Sequence, residues 1–124
     1  PTNALPDIRA AAVPVPCRRL DSYDLPRVGL VKIDVEGHEL AVLQGAGALL
    51  ARWRPALVVE AEDRHRPGAV ASVRDHLAPL GYTGHVLRDR RLRPLAELGD
   101  EPGAAAARLG LNNFIFTAQA LSPA

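Results

Sequence analysis

The chain has 124 residues, 48% hydrophobic and 4% aromatic, with 14 arginines and one lysine against 14 acidic residues for a formal net charge of +1. That length fits one small domain with a core of Ala, Val and Leu, and the apolar content excludes wholesale disorder. The balanced charge excludes a dominant electrostatic grip on nucleic acid, and no apolar run approaches the ~20 residues that span a bilayer.

In chain order, residues 1–12 have no period and read as an irregular lead-in. The first residues show no basic-then-apolar signal pattern. Val13 and Val15 alternate with Pro14 and Pro16, which suits an edge strand or an extended connector. Cys17 is the only cysteine. It excludes an intrachain disulfide, points to a reducing cytoplasm and reads as structural. Leu20 to Pro26 is turn-rich. Val28 to Val35 is a largely apolar strand, as expected when both sheet faces are covered. From His38, apolar residues at Leu40, Leu43, Ala46, Leu50 and Trp53 mark one helix face, which Pro55 ends. Ala56 to Glu60 is a second apolar strand. Pro67 to Leu80 is a second helix, with Val70, Val73, Leu77 and Leu80 on one face and Gly81 as a left-handed cap. Tyr82 to Leu87 is a third strand. Arg88 to Gly110 reads as a loop plus a short helix. Its run Arg88-Asp89-Arg90-Arg91-Leu92-Arg93 has no interleaved aromatics and reads as solvated surface. Asn113 to Thr117 is a final strand, and residues 119–124 form a fraying tail.

The order strand–helix–strand–helix–strand–strand is that of the second half of a doubly wound α/β sheet. The strands near 30–35 and 56–60 are expected to be parallel neighbours joined by the helix that begins near His38. No Gly-rich strand-to-helix turn is present. Gly45-Ala46-Gly47 lies within a helix face and reads as close helix packing or a weak spot in the helix.

Ligands of open α/β sheets sit beyond the carboxyl ends of the strands. Asp34 and Glu36 stand at one such end and Glu60 at the next, where a carboxylate could bind a hydroxyl or take its proton. Repulsion between the acids would favour a base role. Glu36 and Glu39 could instead serve the helix N-terminus through its dipole. Asp34, Glu36 and His38 alternate and could hold a divalent metal, but Gly37 breaks the strand before His38, so no metal is expected. His65, His76 and His85 read as surface residues. Lys32 shares a face with Asp34 and should pair with it.

The run Lys32-Ile33-Asp34-Val35-Glu36-Gly37-His38-Glu39, followed by Val42-Leu43-Gln44-Gly45-Ala46, resembles the signature of the FkbM-type methyltransferases. Leu20-Asp21, Pro55 with Leu57-Val58-Val59-Glu60, Gly81-Tyr82 and Asn113-Phe114-Ile115-Phe116 extend the resemblance over residues 13–118. The resemblance implies the C-terminal half of a Rossmann-like class I methyltransferase sheet, mostly parallel with a closing antiparallel strand. It implies S-adenosylmethionine as methyl donor and a small-molecule hydroxyl acceptor, a sugar or a natural product. Asp34, Glu36 and Glu60 are then the catalytic candidates, with His38 and Glu39 toward substrate and Asp34 also toward the cofactor. The family's Gly-rich first turn, and the acid that holds the ribose, have no counterpart here. A chain of this kind alone would bind the cofactor weakly. Two rivals are an α/β remnant that self-pairs through an exposed sheet edge, and a small metal-dependent hydrolase.

Overall fold

The computed structural model describes residues 10–118. Five strands form one sheet: β1 (Leu30–Asp34), β2 (Ala56–Glu60), β3 (Thr83–Arg88), β4 (Arg91–Pro94) and β5 (Asn113–Thr117), in the order β1-β2-β5-β3-β4. The helices are α1 (Glu39–Gln44), α2 (Gly47–Trp53), α3 (Ala69–Leu77) and α4 (Pro102–Arg108). β1 and β2 are parallel neighbours joined through α1 and α2, as the sequence pattern requires.

The expected mostly parallel sheet is corrected. Only β1 and β2 pair in parallel; β2–β5, β5–β3 and β3–β4 are antiparallel. The cause is β5, which inserts between β2 and β3 and runs against both. β1, β2 and β3 therefore still point the same way, and their carboxyl ends share one edge of the sheet.

Coverage of both faces is also corrected. Ile33, Leu57, Val59, Val86, Phe114 and Phe116 are buried, and the register places them on one face. Leu43, Leu50, Val70, Val73, Leu77 and Ala106 from the helices complete that core. The other face carries Lys32, Asp34, Val58, Glu60, Ile115 and His85, none of them fully buried. Strand alternation thus sorts an apolar face from a mixed one.

The single helix expected from His38 to Trp53 is two. Gly45 and Ala46 interrupt it, because the chain before β1 docks there: the Asp21 N–H donates to Gly45 O at 2.9 Å. Asp21 then caps α2 from 27 residues away. Its Oδ2 accepts the Ala48 N–H at 2.9 Å and its Oδ1 the Leu49 N–H at 3.0 Å. The Ala48 bond is the main reason that its carboxyl lies below the usual range, with Leu49 and Arg19 adding to it against partial desolvation. Val13 and Val15 are exposed and form no strand. Residues 1–9 and 119–124, the ends of the expected lead-in and tail, lie outside the described residues.

Two more contacts close the fold. Tyr82 is buried, and its hydroxyl donates to Pro55 O at 2.9 Å, tying the start of β3 to the start of β2. Burial raises its pKa, against the opposing pull of Arg54. Asp63 accepts the Val70 N–H in the first turn of α3 at 3.2 Å. Its carboxylate also fills the space where a Cβ on Gly103 would stand, so α4 approaches only because position 103 has no side chain.

Candidate functional site

β1 and β2 end level. Asp34 is the register partner of Glu60, and Glu60 in turn faces Asn113 of β5. Lys32 Nζ stands between the two acids, 4.0 Å from Asp34 Oδ2 and 3.8 Å from Glu60 Oε2. It supplies the counter-charge that lets two carboxylates share one edge. Asn112 Nδ2 donates to Glu60 Oε1 at 3.3 Å. The Asp34 side chain is 52% exposed and that of Glu60 30%. Asp34 is thus the freer acceptor, and Glu60 the more restrained one.

Beyond β1 the chain turns sharply. Glu36 has φ 47° and Gly37 φ 103°. A left-handed conformation is costly for a side-chain-bearing residue such as Glu36. Gly37 is required by its φ, and its N–H donates to Glu39 Oε1 at 2.9 Å. Glu39 is 1% exposed, the one charged residue among the buried set. Its carboxylate clamps the turn from inside, next to the helix N-terminus that the dipole argument gave it.

Asp34, Glu36, Glu39, Glu60, Glu62, Arg64 and His65 line a small cavity of about 50 Å3. At roughly 10–15 Å3 per water it holds a few waters and no larger ligand. Arg64 grips Glu62 through both Nε and Nη2. That grip, helped by Asn112 against partial desolvation, holds the Glu62 carboxyl below its usual range and the Arg64 guanidinium above its own. Glu62, Arg64 and Asn112 were not legible as site residues, because nothing in a loop sequence sets its distance from a strand end.

The structure brings Asp34, Glu36, Glu39 and Glu60 together and separates His38 from them. His38 is exposed and lines a second groove of about 440 Å3 with Cys17, Arg18, Arg19, Leu20, Tyr23, Ala41, Val42 and Gly45. Among the described residues no group of three or more His, Cys, Asp or Glu is arranged to hold a metal ion. No helix of the described residues is long and apolar enough to cross a membrane.

The strand-end donor set has a definite preference. The β1–α1 turn offers no free N–H at Gly37, which Glu39 already occupies. An anion is therefore disfavoured there, whereas the carboxylates at its rim accept from hydroxyl or cationic groups. A mixed α/β sheet with carboxylates at the carboxyl ends of its parallel strands has the architecture of proteins whose ligands bind at strand ends. Residues 2–84 match the family model described as the methyltransferase FkbM domain, so the chain belongs to that family. No curated protein and no solved structure matches the chain.

Proposed function

We propose that the chain is the acceptor-side half of an S-adenosylmethionine-dependent methyltransferase that methylates a hydroxyl of a sugar or natural product. The observation that carries this reading is the pairing of Asp34 with Glu60 at the ends of adjacent parallel strands, with Lys32 between them. When bound, the cofactor supplies an electrophilic methyl group on a sulfonium centre. Asp34, the more exposed carboxylate of the pair, is the residue that would hold it, by accepting from a ribose hydroxyl or the ammonium group. A carboxylate oxygen of Asp34, the more exposed of the pair, accepts the acceptor's hydroxyl hydrogen and takes the proton as the oxygen becomes nucleophilic. Glu60, fixed by Asn112 and Lys32, orients the hydroxyl or a neighbouring one. Glu36 reaches the same rim. The free Cys17 fits a reducing cytoplasm.

The test is a methyl-transfer assay over a panel of sugars and hydroxylated natural products. It compares this chain with a version extended by whatever its gene encodes before Pro1. The chain alone is expected to bind S-adenosylmethionine no tighter than about 100 μM by calorimetry, since the acidic edge contacts only part of a ligand of that size. The extended protein is expected to transfer methyl groups and to lose the activity in Asp34→Asn. A folded extended protein that binds the cofactor but methylates no hydroxyl would sink the reading.

A second reading has its own support. β1 has a strand partner on one side only among the described residues, and its Leu30 is 62% exposed. An open edge of this kind favours pairing with a second copy. Sedimentation at increasing concentration checks it: a monomer throughout removes it.

A further inference from the structure

The polar row at the strand ends does not stop at the two acids. Asp34 is level with Glu60, and Glu60 is level with Asn113 at the start of β5. Residues directly opposite on adjacent strands leave the same face of a sheet. The three side chains therefore stand side by side on the face away from the helices. Neighbouring strands are about 4.8 Å apart, so the row spans about 10 Å. Asp34 and Asn113 are exposed at its two ends, and Glu60 is partly buried between them.

The carboxylate sets the orientation of the amides beside it. A carboxylate only accepts, so Asn112 turns its NH2 group toward Glu60, and Nδ2 donates to Glu60 Oε1 at 3.3 Å. Asn112 Oδ1 is then left facing Asn113, which answers with a donor: Asn113 Nδ2 donates to it at 3.0 Å. The Asn112 backbone is held as well, since its carbonyl accepts the Ala61 N–H at 2.9 Å. The second amide hydrogen of Asn113 and its Oδ1 have no partner among the described residues. Beside two groups that only accept, Asn113 is the member of the row that offers a free N–H. It lies outside residues 2–84, the part that matches the family model.

The small cavity lined by the acids has room for waters only. A larger acceptor therefore lies on the exposed side of the row. We propose that Asn113 is a third acceptor-binding residue beside Asp34 and Glu60, held in position by Asn112, and that the acceptor is a sugar ring lying across the three strand ends. This rests on the acceptor reading of Asp34 and Glu60. Each carboxylate receives a hydroxyl, and the Asn113 N–H donates to an oxygen further along the ring. A simple alcohol fills one of these positions, whereas a ring carrying several oxygens fills all three. Two carboxylates alone cannot bind an oxygen that has no hydrogen, such as a ring or ether oxygen. The Asn113 amide adds that ability.

The experiment follows the side-chain amide signals of Asn112 and Asn113 in isotope-labelled protein without methyl donor, both in this chain and in the version extended before Pro1. The probes are the methyl glycosides of glucose, galactose, mannose and rhamnose, and cyclohexanol, a ring of similar size with one hydroxyl. At least one glycoside is expected to move both amides with one dissociation constant, and cyclohexanol at the same concentration neither. Asn113→Ala should weaken that glycoside about fivefold to tenfold, the scale of one neutral hydrogen bond. Its melting temperature should hardly change, because the residue is exposed. Arg27→Gln, before β1, should leave the binding as it is. In the methyl-transfer assay Asn113→Ala should raise the acceptor KM and spare kcat, as loss of a binding contact does; a purely structural role would lower the melting temperature and leave KM alone. No glycoside shift at Asn113 in either protein, equal shifts with cyclohexanol, or unchanged glycoside affinity in Asn113→Ala would overturn the proposal. Glycoside binding without methyl transfer would sink the methyltransferase reading alone. Methyl transfer with an unchanged acceptor KM in Asn113→Ala would sink this proposal alone.

Discussion

Glu36→Gly should make the protein more stable and the site less effective. Glu36 sits at φ 47°. An L residue with a side chain is disfavoured there by about 1–2 kcal/mol, because Cβ crowds the following carbonyl oxygen. Glycine removes that crowding but loses roughly 0.5–1 kcal/mol more conformational freedom on folding. The attraction of Glu36 to Arg64 subtracts almost nothing, since both are exposed. The net gain is about 0.5–1 kcal/mol. With an unfolding entropy of about 2.1 cal/mol/K per residue, a chain of this length then melts about 2–4 °C higher. Thermal and urea denaturation at pH 7 measure the gain, and Glu36→Val is the opposite control, since a β-branched residue tolerates this φ worst. Methyl transfer by the extended protein should fall in the same variant. An unchanged or lower melting temperature for Glu36→Gly would show that the carboxylate stabilises the turn. The strain would then be no guide to function.

Three further outcomes follow from the geometry. Asp34→Asn should lower turnover of the extended protein about 100-fold if the carboxylate takes the proton; a loss confined to acceptor affinity would reassign it to binding. Asp21→Ala should cost about 1 kcal/mol at pH 7 through loss of the α2 cap. Its folded pKa is depressed, so the contribution is present above the ordinary value of 3.8 and is lost as the pH falls through the folded value. Urea titrations at pH 7 and near pH 3 should therefore show the deficit shrinking in acid, and an equal deficit at both would refute the capping role. Gly103→Ala should cost about 1–3 kcal/mol by overpacking against the Asp63 carboxylate, and Asp63→Ala in the same chain should recover part of it; simple additivity of the two losses would show that the contact is not the cause.

What the sequence made legible was what periodicity encodes. β2 and β5 stand at their expected bounds, and α3 buries Val70, Val73 and Leu77 as its face predicts, before Gly81 at φ 84°. The α1–α2 break was hidden because the apolar face runs on through Leu43, Ala46 and Leu50, and only the distant Asp21 shows where it parts. β4 was hidden because its four residues are all exposed, so no alternation marks it, and its turn uses Asp89-Arg90 in place of the usual Asn-Gly or Asp-Gly. The parallel register of Asp34 with Glu60 was readable from two strands that both end in acid. The burial of Glu39 was not, because a buried carboxylate looks in sequence like an exposed one until its N–H partner is known.

The length of the family signature has a physical explanation that separates its chemical residues from its structural ones. Ile33 fills the core, Gly37 is held at a φ that L residues rarely adopt, and Glu39 satisfies the Gly37 N–H from a buried position. Each of these is accounted for by the fold alone. Asp34 and Glu36 are not. Asp34 is half-exposed beside another acid, and Glu36 sits in a left-handed conformation with no side-chain hydrogen bond among the described residues that would offset it. Lys32 reduces the first cost without removing the exposure. Residues that the fold does not account for, standing at the carboxyl end of a strand, are the candidates for chemistry that the Asp34→Asn assay tests.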